Sequence, residues 1–494
     1  MTFALPASDS DDRVDLLDAL HALAFMGDLS MGQPVDHSPR VAILALRLAQ
    51  SLGADVAMCW DTVQVALLRW SGCTANAMEV SETIGDDVDG RAAMLALQID
   101  RVDILVAPQF IRERVARISA IHCEVSSIVA QLLLLNPVVA ASLACVFEHW
   151  DGSGEPEGRR ANEIPLPAQI VAVASELEIF CRIFGIDMAK RMLVNRAGSI
   201  HARELVDVMI ANGPIWMASL ENGEAIDDQI VGSHALQTAP LVLVADVIDL
   251  KLPWLTGYSR ATAALADQVA FRVGLSPLQR GRVRRAGLLH GLGRVAVPNA
   301  IWNRTGPLSP ADWERIRLSP YWTSRAARPL KNLQEEVVLA SHVRELLDGT
   351  GYFRGARQAN MPMDHRILPA VSAFLSLQAA RPWRPPFARS DAATIMLDHA
   401  RRGQFDAEVV EVLEDAAHER LDTATRPAAL SDALSAREVD VLRRISLGDS
   451  NKEAAARLGI SPSTVRTHME SVFRKLGCKS RSAATLRASM LGLF

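Results

Sequence analysis

Basic side chains are concentrated at the end of the chain. Residues 434–494 contain eleven Lys and Arg residues against five Asp and Glu residues, a net charge of +6, whereas the whole chain of 494 residues carries −5. The preceding residues therefore carry a net charge of −11. Lys and Arg side chains clustered on one domain neutralise the phosphates of a nucleic-acid backbone, and this is the chemistry that the pattern favours.

Four short helices are predicted to position these basic residues. Ser435 with Glu438, and Ser450 with Glu453, are capping boxes, and Ser461 is placed to cap a third helix. A glycine stands where that third helix should end. Only three residues separate the second and third helices, which is typical of a helix-turn-helix. The predicted helices span residues 436–447, 451–458, 462–476 and about 481–491.

Three segments of this stretch carry a specific pattern: Ser-Asn-Lys-Glu-Ala-Ala, Ser-Pro-Ser-Thr-Val-Arg-Thr-His and Arg-Lys-Leu-Gly. In their order and spacing the stretch resembles the C-terminal DNA-binding domain of the LuxR family. The resemblance implies that the third helix enters the major groove of double-stranded DNA and presents Arg466, Thr467 and Glu470 to base edges. It implies phosphate contacts, which position the domain, for Lys452, Ser461, Thr464, Arg474, Lys475 and Arg481. The alternative is a small helical bundle with a solvated basic face.

The composition predicts a largely helical protein of about three domains. Apolar residues make up 49% of the chain, with few aromatic residues. The six cysteines are scattered without a Cys-x-x-Cys pair, which favours reduced thiols and a cytoplasmic location. No export signal is recognised at the N-terminus. The apolar stretch at 128–139 is too short to span a bilayer, so no membrane partner is expected.

Landmarks in the first part of the chain recur further along. Residues 151–175 and 348–372 align without a gap, from Asp151-Gly-Ser-Gly and Asp348-Gly-Thr-Gly onwards. The helix predicted to begin at His37 corresponds to one predicted to begin at Tyr258. The pattern predicts two copies of one helical domain. The predicted boundaries are 10–230 and 240–418 for the copies, 419–433 for a linker and 434–494 for the DNA-binding domain.

These landmarks resemble the HD-GYP domain, a helical metal-dependent phosphodiesterase fold of the HD superfamily that hydrolyses cyclic di-GMP. The predicted fold class is therefore all-α, with two tandem HD-superfamily domains followed by a four-helix LuxR-type domain. In that family, imidazoles and carboxylates hold two or three metal ions that activate water and clamp the phosphate.

Both copies depart from the family's metal-ligand pattern. The first copy retains His37, His122 and Glu148, but Arg69 and Trp70 occupy the His-Asp position. The second copy retains His290 and His342, the latter with an apparent one-residue insertion before the turn. Further replacements are Val146, Phe147 and Ser175 in the first copy, and Tyr258, Gly291, Arg294, Ser319 and Ser372 in the second. The sequence therefore predicts no catalytic residue, no metal, no cofactor and no enzyme. The alternative is a metal-dependent phosphohydrolase of the cyclic di-GMP type with residual activity.

The former catalytic cavity has two alternative uses. As a sensor it binds a small-molecule effector, and in the first copy its wall consists of Arg69, Trp70, His122, Phe147, Glu148 and Trp150. An anionic or nucleotide effector is expected to prefer the arginines, which in the second copy are Arg294 and Arg344. In the other alternative, these side chains fill the cavity and the two copies serve only as a dimerisation scaffold. Both alternatives predict a homodimeric, sequence-specific transcriptional regulator, with RNA polymerase as a further partner.

Overall fold

The computed structural model describes residues 12–223, 237–326, 328–423 and 434–493. Two compact units are distinguished: an N-terminal unit, Asp15–Ala239, and a C-terminal unit, Pro240–Phe494 together with Met1–Val14. The predicted all-α fold is confirmed. Within the described ranges, strands are confined to β1 (Arg13–Asp15) and β2 (Thr238–Pro240), which pair in a two-stranded sheet. The predicted domain boundaries stay predictions, and positions 10, 11, 224–230, 327, 424–433 and 494 of those ranges lie outside the described residues.

The N-terminal unit is built around α2, which packs against α3 and α8. The fully buried residues of this core include Leu44 and Leu48 of α2 and Leu67 and Leu68 of α3. The side chain of Asp55 starts α3 by accepting a hydrogen bond from the backbone N–H of Met58. The helices of this unit are α1 (Leu16–Ser30), α2 (His37–Ser51), α3 (Val56–Leu68), α4 (Ala77–Ile84), α5 (Asp89–Leu95), α6 (Pro108–Leu132), α7 (Pro137–Leu143), α8 (Leu166–Phe184), α9 (Ile186–Arg196) and α10 (Arg203–Glu221).

The HD-like part of the C-terminal unit is built around α12, which packs against α13 and α18. A capping box of Ser276 and Gln279 begins α13, with Pro277 at its first position. The helices of this part are α11 (Leu241–Asp249), α12 (Tyr258–Arg272), α13 (Pro277–Leu289), α14 (Asn299–Trp302), α15 (Pro310–Arg317), α16 (Ser319–Arg325), α17 (Gln334–Ala340), α18 (Met363–Gln378), α19 (Arg389–Arg401) and α20 (Ala407–Thr423).

The same local contacts recur in both units. Asp28 accepts hydrogen bonds from the backbone N–H and hydroxyl of Ser38, and Asp249 accepts the same pair from Ser259. The backbone N–H of Gly72 donates to the Ser126 hydroxyl, and that of Gly293 donates to the Thr323 hydroxyl. Contacts repeated at matching positions support an internal duplication, because unrelated helical bundles would not share them.

The C-terminal domain contains α21 (Ala436–Ser446), α22 (Asn451–Leu458), α23 (Pro462–Leu476) and α24 (Arg481–Met490). Both predicted capping boxes form, and the Ser461 hydroxyl accepts from the backbone N–H of Thr464. Gly459 and Gly477, with φ of 64° and 62°, end α22 and α23. Val439, Leu442, Ile445, Val465, Val472 and Leu476 form the buried core, whereas Leu458, Ile460 and Phe473, which have the same helical spacing, are only half-buried.

None of the helices in the described ranges is both long and apolar enough to cross a membrane.

Candidate functional site

The guanidinium of Arg69 lies at the centre of the N-terminal unit, 2% exposed. Its Nη2 donates to Nε2 of His37 at 2.6 Å, and its Nη1 donates to the carbonyl oxygen of Ala66 at 2.7 Å. The other ring nitrogen of His37, Nδ1, donates to Oε2 of Glu178 at 2.6 Å. Arg69, His37 and Glu178 therefore form a continuous buried hydrogen-bonded chain.

Electrostatics keep this chain in one protonation state near neutral pH. Burial lowers the pKa of His37 to about 4, against the hydrogen bond to Glu178, so the imidazole is neutral. Burial alone would raise the pKa of Glu178, but the His37 hydrogen bond and the Arg182 charge hold it at about 2. Burial lowers the pKa of Arg69 to about 10, which leaves the side chain charged beside Asp28 and Glu178. Burial raises the pKa of Asp28 to about 7, so the charge of Arg69 is balanced mainly by Glu178.

Aromatic rings fill the space beside Arg69. The ring centroids of Trp70 and His122 are 5.9 Å apart, and those of His122 and Phe147 are 4.9 Å apart. Nε2 of His122 donates to the carbonyl oxygen of Arg69 at 2.6 Å, and its Nδ1 lies 3.7 Å from Sγ of Cys73. Burial lowers the pKa of His122 to about 3. This imidazole is therefore neutral and has both nitrogens engaged.

The six predicted pocket residues fall into two groups. Arg69, Trp70, His122 and Phe147 contact one another as described. The Glu148 carboxylate instead accepts from the backbone N–H groups of Glu157 and Arg159 at 2.8 and 2.9 Å. Glu148 and Trp150 line a separate cavity of about 10 Å³, with room for a water molecule at most. The assignment of these six residues to a ligand pocket stays a prediction.

A metal ion in this core would have to displace Arg69 from His37 and Cys73 from His122. Among the residues that the structure describes, no group of three or more His, Cys, Asp or Glu side chains is placed to hold a metal. The residues around Arg69 therefore do not fit the binuclear centre that the HD-GYP resemblance implies.

The C-terminal unit places different residues at the matching positions. His290 occupies the position of Arg69, and its Nδ1 donates to the carbonyl oxygen of Gly287 at 2.6 Å. Arg294 donates from Nη2 to Nε2 of His290 at 3.1 Å. Tyr258 replaces His37, and its hydroxyl donates to the carbonyl oxygen of Ser372 at 2.7 Å. Burial, then the charge of Arg294, lowers the pKa of His290 to about 3.

The predicted one-residue insertion before the second turn is wrong. Glu345 accepts from the backbone N–H groups of Arg354 and Ala356 at 2.7 and 2.9 Å, as Glu148 does at the first turn. Without an insertion, Arg344 corresponds to Phe147. His342 lies outside this correspondence, and its Nδ1 donates to the carbonyl oxygen of Val338.

The predicted base-contacting residues lie on one exposed face of α23. The side chains of Arg466 and Glu470 are 77% and 62% exposed, and Nε of Arg466 donates to Oε1 of Glu470 at 2.9 Å. Thr467 is exposed and donates to the carbonyl oxygen of Ser463. Apart from their mutual pair, the two charged side chains project from the domain.

Several predicted phosphate-contacting residues already have partners. Nζ of Lys475 donates to Oε2 of Glu438 at 2.7 Å. Burial would raise the pKa of Glu438, but the hydrogen bonds from Lys475 and Ser471 hold it at about 2. Arg474 donates to the Ser471 hydroxyl and Arg481 to Oδ1 of Asn451. The Ser461 hydroxyl shares a hydrogen bond with Thr464, and Lys452 is exposed. These DNA contacts stay predictions.

Sequence reasoning missed the carboxylates that hold the N-terminal core together. Glu178 and Asp28 are fully buried, and neither was proposed as a site residue. For Asp28 a signal was present, because Asp28 precedes Ser38 by the same interval as Asp249 precedes Ser259. Glu178 has no such local signal, since its partner His37 lies far away in the sequence.

Comparison with known proteins identifies both parts of the chain. Residues 125–198 and 242–409 match the HD domain family. Residues 432–488 match the family described as bacterial regulatory proteins, luxR family. Over 63 residues, 13% of this chain, the sequence is 46% identical to the probable transcriptional regulatory protein NarL of Mycobacterium tuberculosis, of which it covers 29%.

A relative spans most of the chain. It is the 3'3'-cGAMP-specific phosphodiesterase 3 of Vibrio cholerae, 25% identical over 447 residues, which cover 82% of this chain and 95% of the relative. A crystal structure of cyclic GMP-AMP specific phosphodiesterases in the same species matches with a TM-score of 0.55 and 21% identity. The match covers 82% of this chain and 98% of that one, and it shows a shared fold.

The prediction that the chain is not an enzyme is wrong on this comparison. A phosphodiesterase that aligns over 82% of the chain points to an HD-domain enzyme. The prediction rested on residue types at a few aligned positions.

Proposed function

Because the chain combines HD-domain segments with a C-terminal domain of the luxR family, we propose that it is a sequence-specific transcriptional regulator whose HD part takes a cyclic dinucleotide as its ligand. The chain binds DNA as a homodimer on two half-sites, since a symmetric pair of helix-turn-helix domains matches a symmetric operator. The ligand acts as the small-molecule effector, and RNA polymerase is the protein partner at the promoter.

The DNA-binding part of the proposal rests on the exposed face of α23. Arg466 is held only by Glu470, four residues away, at 2.9 Å. Exposed pairs of this spacing are worth roughly 0.3–0.5 kcal/mol. Arg466 can therefore leave Glu470 for a guanine edge at little cost, and a good bidentate contact contributes about 1–3 kcal/mol of base discrimination.

The extent of the phosphodiesterase match supports the ligand half. The aligned 447 residues include both HD-like parts, and the relative acts on 3'3'-cGAMP. Such a ligand carries two anionic phosphodiester groups, for which buried arginines are suitable partners. Arg294, next to His290 in the C-terminal unit, is a residue of this kind.

The test combines three measurements on the full-length chain. DNA fragments selected from a random pool are used to measure DNA affinity with and without 3'3'-cGAMP. Calorimetry measures binding of the nucleotide, and chromatography measures its hydrolysis, since the relative is a phosphodiesterase. We expect specific DNA binding that changes when the nucleotide is present. A chain that selects no DNA sequence, or that neither binds nor hydrolyses the nucleotide, would refute the corresponding half of the proposal.

Arg402→Ala provides a matched control for Arg466→Ala. Arg402 and Asp398 form another exposed pair four residues apart, at 2.6 Å, but on α19. Both variants lose the same kind of surface ion pair. Only Arg466→Ala is expected to lose sequence preference, and equal effects of the two changes would contradict the placement of α23 in the groove.

A further inference from the structure

Two arginines of the C-terminal unit lie over one tyrosine ring, and a third lies near them. The guanidinium carbons of Arg294 and Arg381 each lie 5.6 Å from the ring centroid of Tyr258. Arg381 also lies over the Trp254 ring at 4.5 Å. Arg344 is close enough to act electrostatically on both other arginines and on His290. We call Arg294, Arg344 and Arg381 the arginine cluster.

The positive charge of the arginine cluster is poorly compensated. Burial, together with the charges of Arg294 and Arg344, lowers the pKa of Arg381 to about 10, while no carboxylate is among the groups that act on it. Oδ1 of Asp249 lies 3.7 Å from Nη1 of Arg294. Burial, however, raises the pKa of Asp249 to about 7, so it is only partly ionised at neutral pH. The cluster therefore carries more positive than negative charge.

Donors in the arginine cluster also lack acceptors. Nη1 of Arg294 and Nη1 of Arg381 are buried without a hydrogen-bond partner, and Arg294 as a whole is 9% exposed. Within the described part of the chain, the Arg344 side chain makes no hydrogen bond or ion pair. Buried charged donors without partners are costly, and natural structures seldom keep them without a ligand or a functional reason.

We propose that the arginine cluster binds a phosphate group of a nucleotide and that residues 253–258 transmit its occupancy to the DNA-binding domain. A phosphate supplies both the negative charge and the acceptor oxygens that the three guanidinium groups lack. The indole of Trp383 lies edge-on to Trp254 at 6.0 Å and is 47% exposed, which offers a base a surface for stacking. The identity of the nucleotide as a cyclic dinucleotide rests on the proposed function; the phosphate site does not.

Some of residues 253–258 contact the arginine cluster, and others contact the DNA-binding domain. Trp254 and Tyr258 face the arginines, as described above. Between them, Oγ1 of Thr256 donates to the carbonyl oxygen of Ser446, at the end of α21, at 2.8 Å. Pro253 packs against Gly448, where an added Cβ would lie 3.2 Å from Cβ of Pro253. A shift of the Trp254 and Tyr258 rings on phosphate binding would therefore move the contacts with the DNA-binding domain.

The N-terminal unit lacks such a cluster at the matching positions. Cys73 corresponds to Arg294 and Phe147 corresponds to Arg344. The uncompensated charge is therefore not a general consequence of this helical fold. Among the described residues, a cluster of three arginines at these positions occurs in the unit that contains the DNA-binding domain.

The test uses Arg344→Ala, Thr256→Val and the exposed control Arg402→Ala in the full-length chain. Pyrophosphate and 3'3'-cGAMP are the probes, with affinities from calorimetry and DNA affinity from fluorescence anisotropy. Arg344→Ala is expected to weaken both probes by about 10–100-fold, the loss of a charged hydrogen bond. Without ligand it should not lower Tm, because it removes like-charge repulsion. Thr256→Val should retain probe affinity but reduce the effect of the probe on DNA affinity by about fivefold.

Each outcome decides one part of the proposal. Wild-type affinity of Arg344→Ala for both probes, or failure of the unaltered chain to bind either, overturns the phosphate site. Unchanged coupling in Thr256→Val overturns the transmission through residues 253–258. Binding of pyrophosphate without 3'3'-cGAMP would leave the phosphate site standing while the cyclic-dinucleotide assignment of the proposed function fails.

Discussion

Replacing His122 with Phe should change how the stability of the chain depends on pH. The phenyl ring can occupy the same place beside Trp70 and Phe147, but it cannot donate to the carbonyl oxygen of Arg69, 2.6 Å from Nε2 of His122. Leaving that buried carbonyl without a partner costs about 1–2 kcal/mol. At neutral pH we therefore expect His122→Phe to be less stable than the unaltered chain by that amount.

At lower pH the unaltered chain should lose its advantage in stability over His122→Phe. The pKa of His122 is lowered by burial from 6.5 to about 3, so between these values the unfolded chain binds a proton that the folded chain does not. Stability from this group is complete above the unfolded pKa and is lost as pH falls towards the folded pKa. At about pH 5 the loss is about 2 kcal/mol, from about 1.4 kcal/mol per pH unit. The variant avoids this loss, so the two proteins should become equally stable near about pH 5.

Urea unfolding of the full-length chain, followed by tryptophan fluorescence, measures the difference at both pH values. Phe147→Leu is the control, since it disturbs the same ring cluster without changing an ionisable group, and its effect should be independent of pH. His37 and His290 titrate in all three proteins and therefore cancel in the differences. If the free energies of unfolding of His122→Phe and the unaltered chain differed by the same amount at both pH values, the conclusion that His122 is a buried, neutral imidazole would be refuted.

Three further changes have defined outcomes. Arg466→Ala should relax sequence preference at one base position at a cost of about 1–3 kcal/mol, and selection of bound sequences measures it. Lys475→Ala should weaken binding to all sequences and lower the slope of log affinity against log salt by about one; an unchanged slope would remove Lys475 from the phosphate contacts. Gly293→Ala would place a Cβ 1.9 Å from the carbonyl oxygen of Ser319, whereas Gly306→Ala meets nothing within 4 Å. Thermal unfolding should show a Tm lowered by several °C for Gly293→Ala, of the order expected for overpacking, and an unchanged Tm for Gly306→Ala.

Local signals made the DNA-binding domain predictable. The helices predicted at 451–458 and 462–476 have the bounds of α22 and α23. Each begins at a serine whose hydroxyl accepts a backbone N–H and ends at a glycine with positive φ. These contacts join residues three or four positions apart, so the sequence alone contains both partners.

The HD-like cores were less predictable because their partners are distant in sequence. The His37–Glu178 pair joins α2 to α8, and the Trp254–Arg381 contact joins residues that no periodic pattern connects. The replacement of residues at the metal positions of the HD-GYP pattern was taken to mean loss of activity. The alignment of a phosphodiesterase over most of the chain overturned that step.

The proposed phosphate site follows from a difference between the two cores. In the N-terminal unit, Arg69 donates to Nε2 of His37 and lies beside Glu178, whose pKa is held at about 2. Burial raises the pKa of Asp28 to about 7, as it does that of Asp249, so Glu178 provides most of the compensating negative charge. In the C-terminal unit, no carboxylate is among the groups that act on Arg381. Keeping buried cations unpaired lowers stability unless an anion completes the site. Because the same unit contains the DNA-binding domain, held through Thr256 and Ser446, phosphate binding and DNA binding can be coupled within a single compact unit of the chain.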